Sequence, residues 1–112
     1  MEMPHIMDSE GLNIRIGHSP DPDDAFMFHA LTTGAIDTPG RHYEHILLDI
    51  QTLNEKALNK EFEISAVSIH SFPKIIDDYA LMNCGASMGE GYGPMIIANK
   101  QISLEDAKCK TI

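Results

Sequence analysis

Most residues of this chain that could do chemistry fall in four short stretches: Ser19-Pro20-Asp21-Pro22-Asp23-Asp24, the pair His42 and His45, Ser65 to Ser71, and the glycine-rich run Gly85 to Pro94. Ser68 and His70 stand two apart, which on a strand puts both on one face, the minimum for a nucleophile and its base. A working pair also needs a strained elbow of the GxSxG kind and an acid to orient the imidazole, and neither is evident. Ser65, Ser68 and Ser71 then have two readings. They are hydroxyl donors to an oxygen-rich ligand at a strand end, or serines satisfied by solvent or the core.

His18, Asp21, Asp23, Asp24 and His29 would suit a hard cation by type. A calcium loop, however, needs a glycine turn and a downstream bidentate Glu, and both are missing. Helix capping accounts for the same carboxylates: Asp21 as N-cap, Pro22 at the first helical position, Asp24 reaching back as a capping-box acid. No metal site is predicted. His42 and His45 have a chelating spacing only on a helix; on a strand the odd offset leaves one ring exposed and the other packed. The glycine run lacks a Lys-Ser/Thr ending and leads into Pro94 and an apolar stretch, so it is not a P-loop. Gly85, Gly89, Gly91 and Gly93 serve positive φ or close backbone approach, which also allows a small ligand near main-chain N–H groups.

The elements that must hold these residues follow from periodicity. Leu12, Ile14 and Ile16 alternate with polar residues as in a strand with one buried face, ended by Gly17 and His18. A helix from Pro22 to about Thr33 presents Phe26, Ala30 and Leu31 on one face, with Gly34 as its left-handed cap. His42 to Asp49 reads as a strand, and Asp49 as the N-cap of an amphipathic helix carrying Ile50, Leu53, Ala57 and Leu58. Ile64 to Ile69 reads as a strand apolar on both faces, followed by a short helix from Ser71 through Ile76. Tyr79 to Asn83 and Met95 to Ala98 read as further strands. Alternating strands and helices predict an α/β domain with a largely parallel sheet, its ligands beyond the carboxyl ends of the strands. The turns Ser19 to Asp24, Asp49 to Thr52 and Ser68 to Ser71 fall there.

The bulk properties narrow the partners. At 112 residues, with eight Lys plus Arg against seventeen Asp plus Glu, the formal charge is −9. The cations are dispersed except for Lys100, Lys108 and Lys110, so nucleic acid and membrane surfaces are disfavoured and a small-molecule substrate is favoured. Cys84 and Cys109, 25 positions apart with no CxxC, fit a reducing compartment. The N-terminus has neither a basic nor an apolar signal region, so a cytoplasmic protein is expected. Residues 1–11 read as a disordered leader, 12–100 as one α/β lobe, and 101–112 as the start of a crossover, with a new strand beginning as the chain stops.

Taken in order, Ser19 to Phe28, Asp49 to Asn54, Ser65 to Pro73 and Gly85 to Pro94 resemble the 1,4-dihydroxy-6-naphthoate synthases of the futalosine route to menaquinone. The resemblance is collinear from about Leu12 to Ile112. It implies the first lobe of a periplasmic-binding-protein type II-like fold in a cytoplasmic enzyme of the carbon–carbon lyase type. That enzyme converts cyclic dehypoxanthine futalosine to 1,4-dihydroxy-6-naphthoate without metal or organic cofactor. The family's general base is a histidine in the second lobe, beyond this sequence, so no residue here is assigned as catalytic and the chain is expected to be inactive alone.

The same resemblance implies a substrate wall from the Ser19 to Asp24 turn, with Ser19 and Asp21, the strand end Ala66-Val67-Ser68 and the glycine loop; Ser65 and His70, beside that strand end, are added as substrate-binding residues. Many relatives have Lys where Ala66 stands, and SPCPNDTF where this chain has Ser19 to Phe26. An open inter-lobe surface would allow self-association. The alternative is a non-catalytic lobe that binds or senses a small carboxylate.

Overall fold

The computed structural model describes residues 7–8, 11–91, 93 and 95–110. Its centre is strand β2 (Gly11–His18), preceded by the two-residue β1 (Met7–Asp8). Helix α1 (Pro22–Thr32), strand β3 (Arg41–Leu47), helix α2 (Ile50–Leu58) and the short strand β4 (Ile64–Ser65) follow, then a 3-10 helix at Ile69–Lys74 and helix α3 (Leu104–Lys108). β2 pairs in parallel with β3 from Leu12↔Arg41 to His18↔Leu47, and with β4 at Ile16↔Ile64 and Gly17↔Ser65. β1 runs antiparallel to the start of β2. The molecule is α/β, with a small, mostly parallel sheet and helical crossovers, as the alternating pattern predicts.

β2 lies between β3 and β4, so the chain leaves it on one side through α1 and returns on the other through α2. This reversal of direction is where open α/β sheets carry their ligands. Neighbouring residues at the end of β2 face opposite sides. His18 stacks on Phe28 of α1 with ring centroids 4.2 Å apart. Gly17 is packed so closely by Leu53 of α2 and Phe62 that a Cβ there would lie 2.7 Å and 2.8 Å from their side chains. The buried apolar core is Ile16, Leu53, Ala57, Phe62 and Ile75.

Several expectations are corrected. Met7 and Asp8 pair with Leu12 and Gly11, so regular structure begins inside the stretch read as a leader; residues 1–6, 9 and 10 of that stretch lie outside the described residues. α1 turns Asp24, Met27, Phe28 and Leu31 inward, while Phe26 is 88% exposed. The inward stripe contains an acid because the Asp24 carboxylate accepts the Ser19 N–H at 2.7 Å, not the N–H of the N-cap Asp21.

The third strand is two residues long, not six. Ser68 is the N-cap of the 3-10 helix, in which His70 lies. Pro73 has no N–H to give to the carbonyl of Ile69, so the α-helical bonding pattern fails and Ser71 bonds back to Ser68 O at 2.8 Å. Tyr79 to Asn83 and Met95 to Ala98 are not strands, since neither has a partner strand to complete a ladder. Tyr79 is instead held in a turn, its N–H on Ile75 O and its hydroxyl donating to Phe62 O at 2.7 Å. The tail contains the short helix α3, capped by Ser103; Thr111 and Ile112, at the end of the chain where a new strand was expected to begin, lie outside the described residues.

Candidate functional site

Because β2, β3 and β4 are parallel, their carboxyl ends open on one edge of the sheet; the Ser19 to Asp24 turn follows β2 directly, Asp49 to Thr52 follows β3 after Leu48, and Ser68 to Ser71 follows β4 after Ala66 and Val67. Two backbone bonds tie the neighbours to the central strand beyond the regular ladder: Ala66 N–H to Gly17 O at 2.8 Å and Leu48 N–H to His18 O at 3.0 Å. The Ala66 N–H is therefore used within the fold, and Ser65 Oγ donates to Ala66 O at 3.0 Å. The chain at Ser65 and Ala66 forms a floor for the edge rather than a row of open donors.

The turn after β2 is closed by its own side chains. Ser19 Oγ donates to Asp21 Oδ2 at 2.7 Å and accepts from Asp21 N–H at 3.1 Å. Asp21 sits at the N-cap position but makes no side-chain cap bond; its carboxylate serves Ser19 instead. Ser87, in the glycine-rich loop, donates to Asp23 Oδ2 at 2.8 Å and so joins that loop to the start of α1. Gly85 and Gly91 have positive φ, 81° and 74°, as turn glycines do; of the same run, Tyr92 and Pro94 are outside the described residues.

Under this turn lies a histidine pair. His18 Nδ1 is 3.2 Å from Ser19 O, and its Nε2 is 3.0 Å from His45 Nδ1. A carbonyl can only accept, so in the neutral pair His18 carries its proton on Nδ1, and His45 Nδ1–H donates to His18 Nε2. That leaves His45 Nε2 buried and without a partner. Burial first, and the neighbouring His18 second, hold the His45 pKa below its usual value. His42 is exposed and His45 packed, as the strand spacing predicts.

The helix α2 supplies the second group. Asp49 caps it as expected, its Oδ1 accepting from Thr52 N–H at 3.0 Å and its Oδ2 from Thr52 Oγ1 at 2.6 Å. One turn on, Asn54 grips Ser68: its Oδ1 accepts the Ser68 N–H at 2.9 Å and its Nδ2 donates to Ser68 Oγ at 3.0 Å. Ser68, His70 and Ser71 line an open cavity of about 330 Å³ with Gln51, Asn54, Glu55, Leu58 and Lys74.

Of the residues singled out by sequence, Ser68 and His70 thus share one cavity, though not one strand. Ser19 and Asp21 belong to the neighbouring turn and do not line it; Ser65, Ala66 and Val67 are half-buried in the connection between. Sequence reasoning missed Asn54, Gln51 and Lys74. The signal for Asn54 was its place: four residues from both Ile50 and Leu58, it puts an amide inside the apolar stripe of α2. Among the described residues no group of three or more His, Cys, Asp or Glu is arranged to hold a metal ion.

Residues 14–112 match a family model described as menaquinone biosynthesis. Two similar curated proteins are 1,4-dihydroxy-6-naphthoate synthases. That of Thermus thermophilus is 34% identical over 85 residues, covering 76% of this chain and 31% of the relative. That of Streptomyces coelicolor is 34% identical over 88 residues, covering 78% of this chain and 30% of the relative. A crystal structure of a protein from Archaeoglobus fulgidus superposes with a TM-score of 0.68 at 49% identity, covering 72% of this chain and 30% of that one. The chain spans about a third of the length of the curated relatives it matches.

Proposed function

The chain belongs to the menaquinone-biosynthesis family, and from that premise we propose that it is the substrate-binding first lobe of a 1,4-dihydroxy-6-naphthoate synthase. The reaction is the carbon–carbon lyase cleavage of cyclic dehypoxanthine futalosine to 1,4-dihydroxy-6-naphthoate, with release of the sugar portion. The observation that carries the reading is the cavity between α2 and the 3-10 helix, in which Ser68 and His70 stand together. A ligand rich in hydroxyls and bearing a carboxylate needs local donors there, because the net charge of −9 opposes its approach.

In this proposal the fold is one lobe of a two-lobed, periplasmic-binding-protein type II-like molecule, and closure of the lobes excludes water and orients the substrate. Ser68 and His70 hold substrate oxygens. The Ser19 to Asp24 turn and the Ser65 to Val67 connection shape the wall. The general base is a histidine outside these 112 residues: both His18 ring nitrogens are used, on Ser19 O and on His45, and the ring nitrogen of the pair left without a partner, His45 Nε2, is buried away from a substrate proton.

The test is direct. Incubated with cyclic dehypoxanthine futalosine, the 112-residue chain is expected to bind it and yield no naphthoate. Turnover would overturn the assignment of the base to another segment, and absence of binding would overturn the lobe's role.

A further inference from the structure

We infer that Asn54 is a positioning residue that fills one lone pair of the Ser68 hydroxyl and leaves its proton to be given, so that the cavity between α2 and the 3-10 helix presents a preset donor to an acceptor oxygen, such as a carboxylate. The inference rests on the proposed function in placing Ser68 against substrate.

The amide orientation of Asn54 is dictated by chemistry. Ser68 N–H can only donate, so the atom 2.9 Å from it is Oδ1, and the atom 3.0 Å from Ser68 Oγ is then Nδ2. An amide nitrogen only donates. It occupies one lone pair of Ser68 Oγ and leaves the hydroxyl proton to be given elsewhere. Two bonds from one rigid amide fix both the backbone and the side chain of Ser68 at the start of the 3-10 helix. A ligand therefore meets a preset donor and pays less to order the site. Lys74, lining the same cavity, adds a cation suited to the same acceptor; the lining also holds the Glu55 carboxylate, one oxygen of which accepts from Gln51 Nε2 at 2.9 Å.

Asn54→Asp is the discriminating variant because it is nearly isosteric. One carboxylate oxygen still accepts the Ser68 N–H. The other has become an acceptor, so it draws the Ser68 hydroxyl proton inward and removes the donor from the cavity. Asn54→Ala removes both bonds.

The experiment measures binding of cyclic dehypoxanthine futalosine to the 112-residue chain and its Asn54→Asp, Ser68→Ala and doubly substituted forms, with exchange of the Ser68 amide followed without ligand. Ser68→Ala is expected to weaken binding roughly ten-fold, the usual cost of one lost hydrogen bond to a charged group. Asn54→Asp should weaken it at least as much, and by clearly less in the Ser68→Ala background, where only the added charge remains to act. The Ser68 amide should stay protected in Asn54→Asp and lose protection in Asn54→Ala.

Equal losses from Asn54→Asp with and without Ser68, or a Ser68 amide no better protected in the unaltered chain than in Asn54→Ala, would overturn the inference while leaving the proposed function standing. Unchanged binding by Ser68→Ala would overturn Ser68's place in that function and the inference with it.

Discussion

Single side chains on this edge have settled their hydrogen bonds in ways that make pH an informative variable. The neutral His18–His45 pair has one acceptor left over, the buried His45 Nε2, and a second proton there would have no partner. His45 is accordingly held below its ordinary pKa by burial and by His18. The unfolded chain, with a normal imidazole, takes up that proton first. Stability from this group is complete above the ordinary histidine value and is lost as pH falls from there through the lowered one. Urea-denaturation midpoints should fall between pH 7.5 and 5, and His45→Phe should flatten that part of the profile; an unchanged slope would show the pair to be solvated.

Arg15 and Glu63 act at lower pH. Glu63 accepts from Arg15 N–H, Nε and Nη2 at 2.8, 3.0 and 2.7 Å, and the side-chain bonds to Arg15 hold its pKa down. Its contribution is present above the ordinary carboxylate value and lost as pH falls through the lowered one. With Arg15 nearly half exposed, Glu63→Gln should cost only about 1 kcal/mol at neutral pH, read from denaturation curves.

At the scale of elements, the decisive contact is between β2 and α2. Gly17→Ala would drive a Cβ within 3 Å of Leu53 and Phe62, both buried, and Leu53 has no exposed surface through which to retreat. The expected loss is about 1–3 kcal/mol by thermal or urea unfolding. Asp49→Ala, removing a cap with two Thr52 bonds, should cost about 1 kcal/mol. The positions of β2, α1, β3 and α2 were legible because each has its own period and a local start signal such as Pro22 or Asp49. The stretch after Ile64 was not. Its apolar run looks like a strand, but Asn54, fourteen residues away, takes the Ser68 N–H, and Pro73 keeps Ile69–Lys74 in a 3-10 turn. Met95 to Ala98 has strand composition with no strand beside it.

For the whole molecule, the radius of gyration is 18.5 Å, against about 13 Å for a compact domain of this length. The excess accompanies apolar residues left on the surface, among them Met88 at 90%, Met95 at 82% and Ile97 at 87% exposed. We propose that this surface drives self-association of the isolated chain. Sedimentation velocity should show a mass that rises with concentration. A single monomer species across the range would count against it.

What the sequence by itself determined is the local part: an α/β alternation, the starts of two helices with the Asp49 cap of the second, an acidic molecule with few clustered cations, and a family resemblance carried by four ordered motifs. Tertiary structure alone decided which donors remain for a ligand. Ala66 N–H is spent on Gly17, His18 on His45, and Ser68 is oriented by Asn54. The physical reason is that a hydrogen bond between residues fourteen to forty-nine positions apart leaves no mark in local periodicity, and it exists only once the sheet has brought its strand ends together.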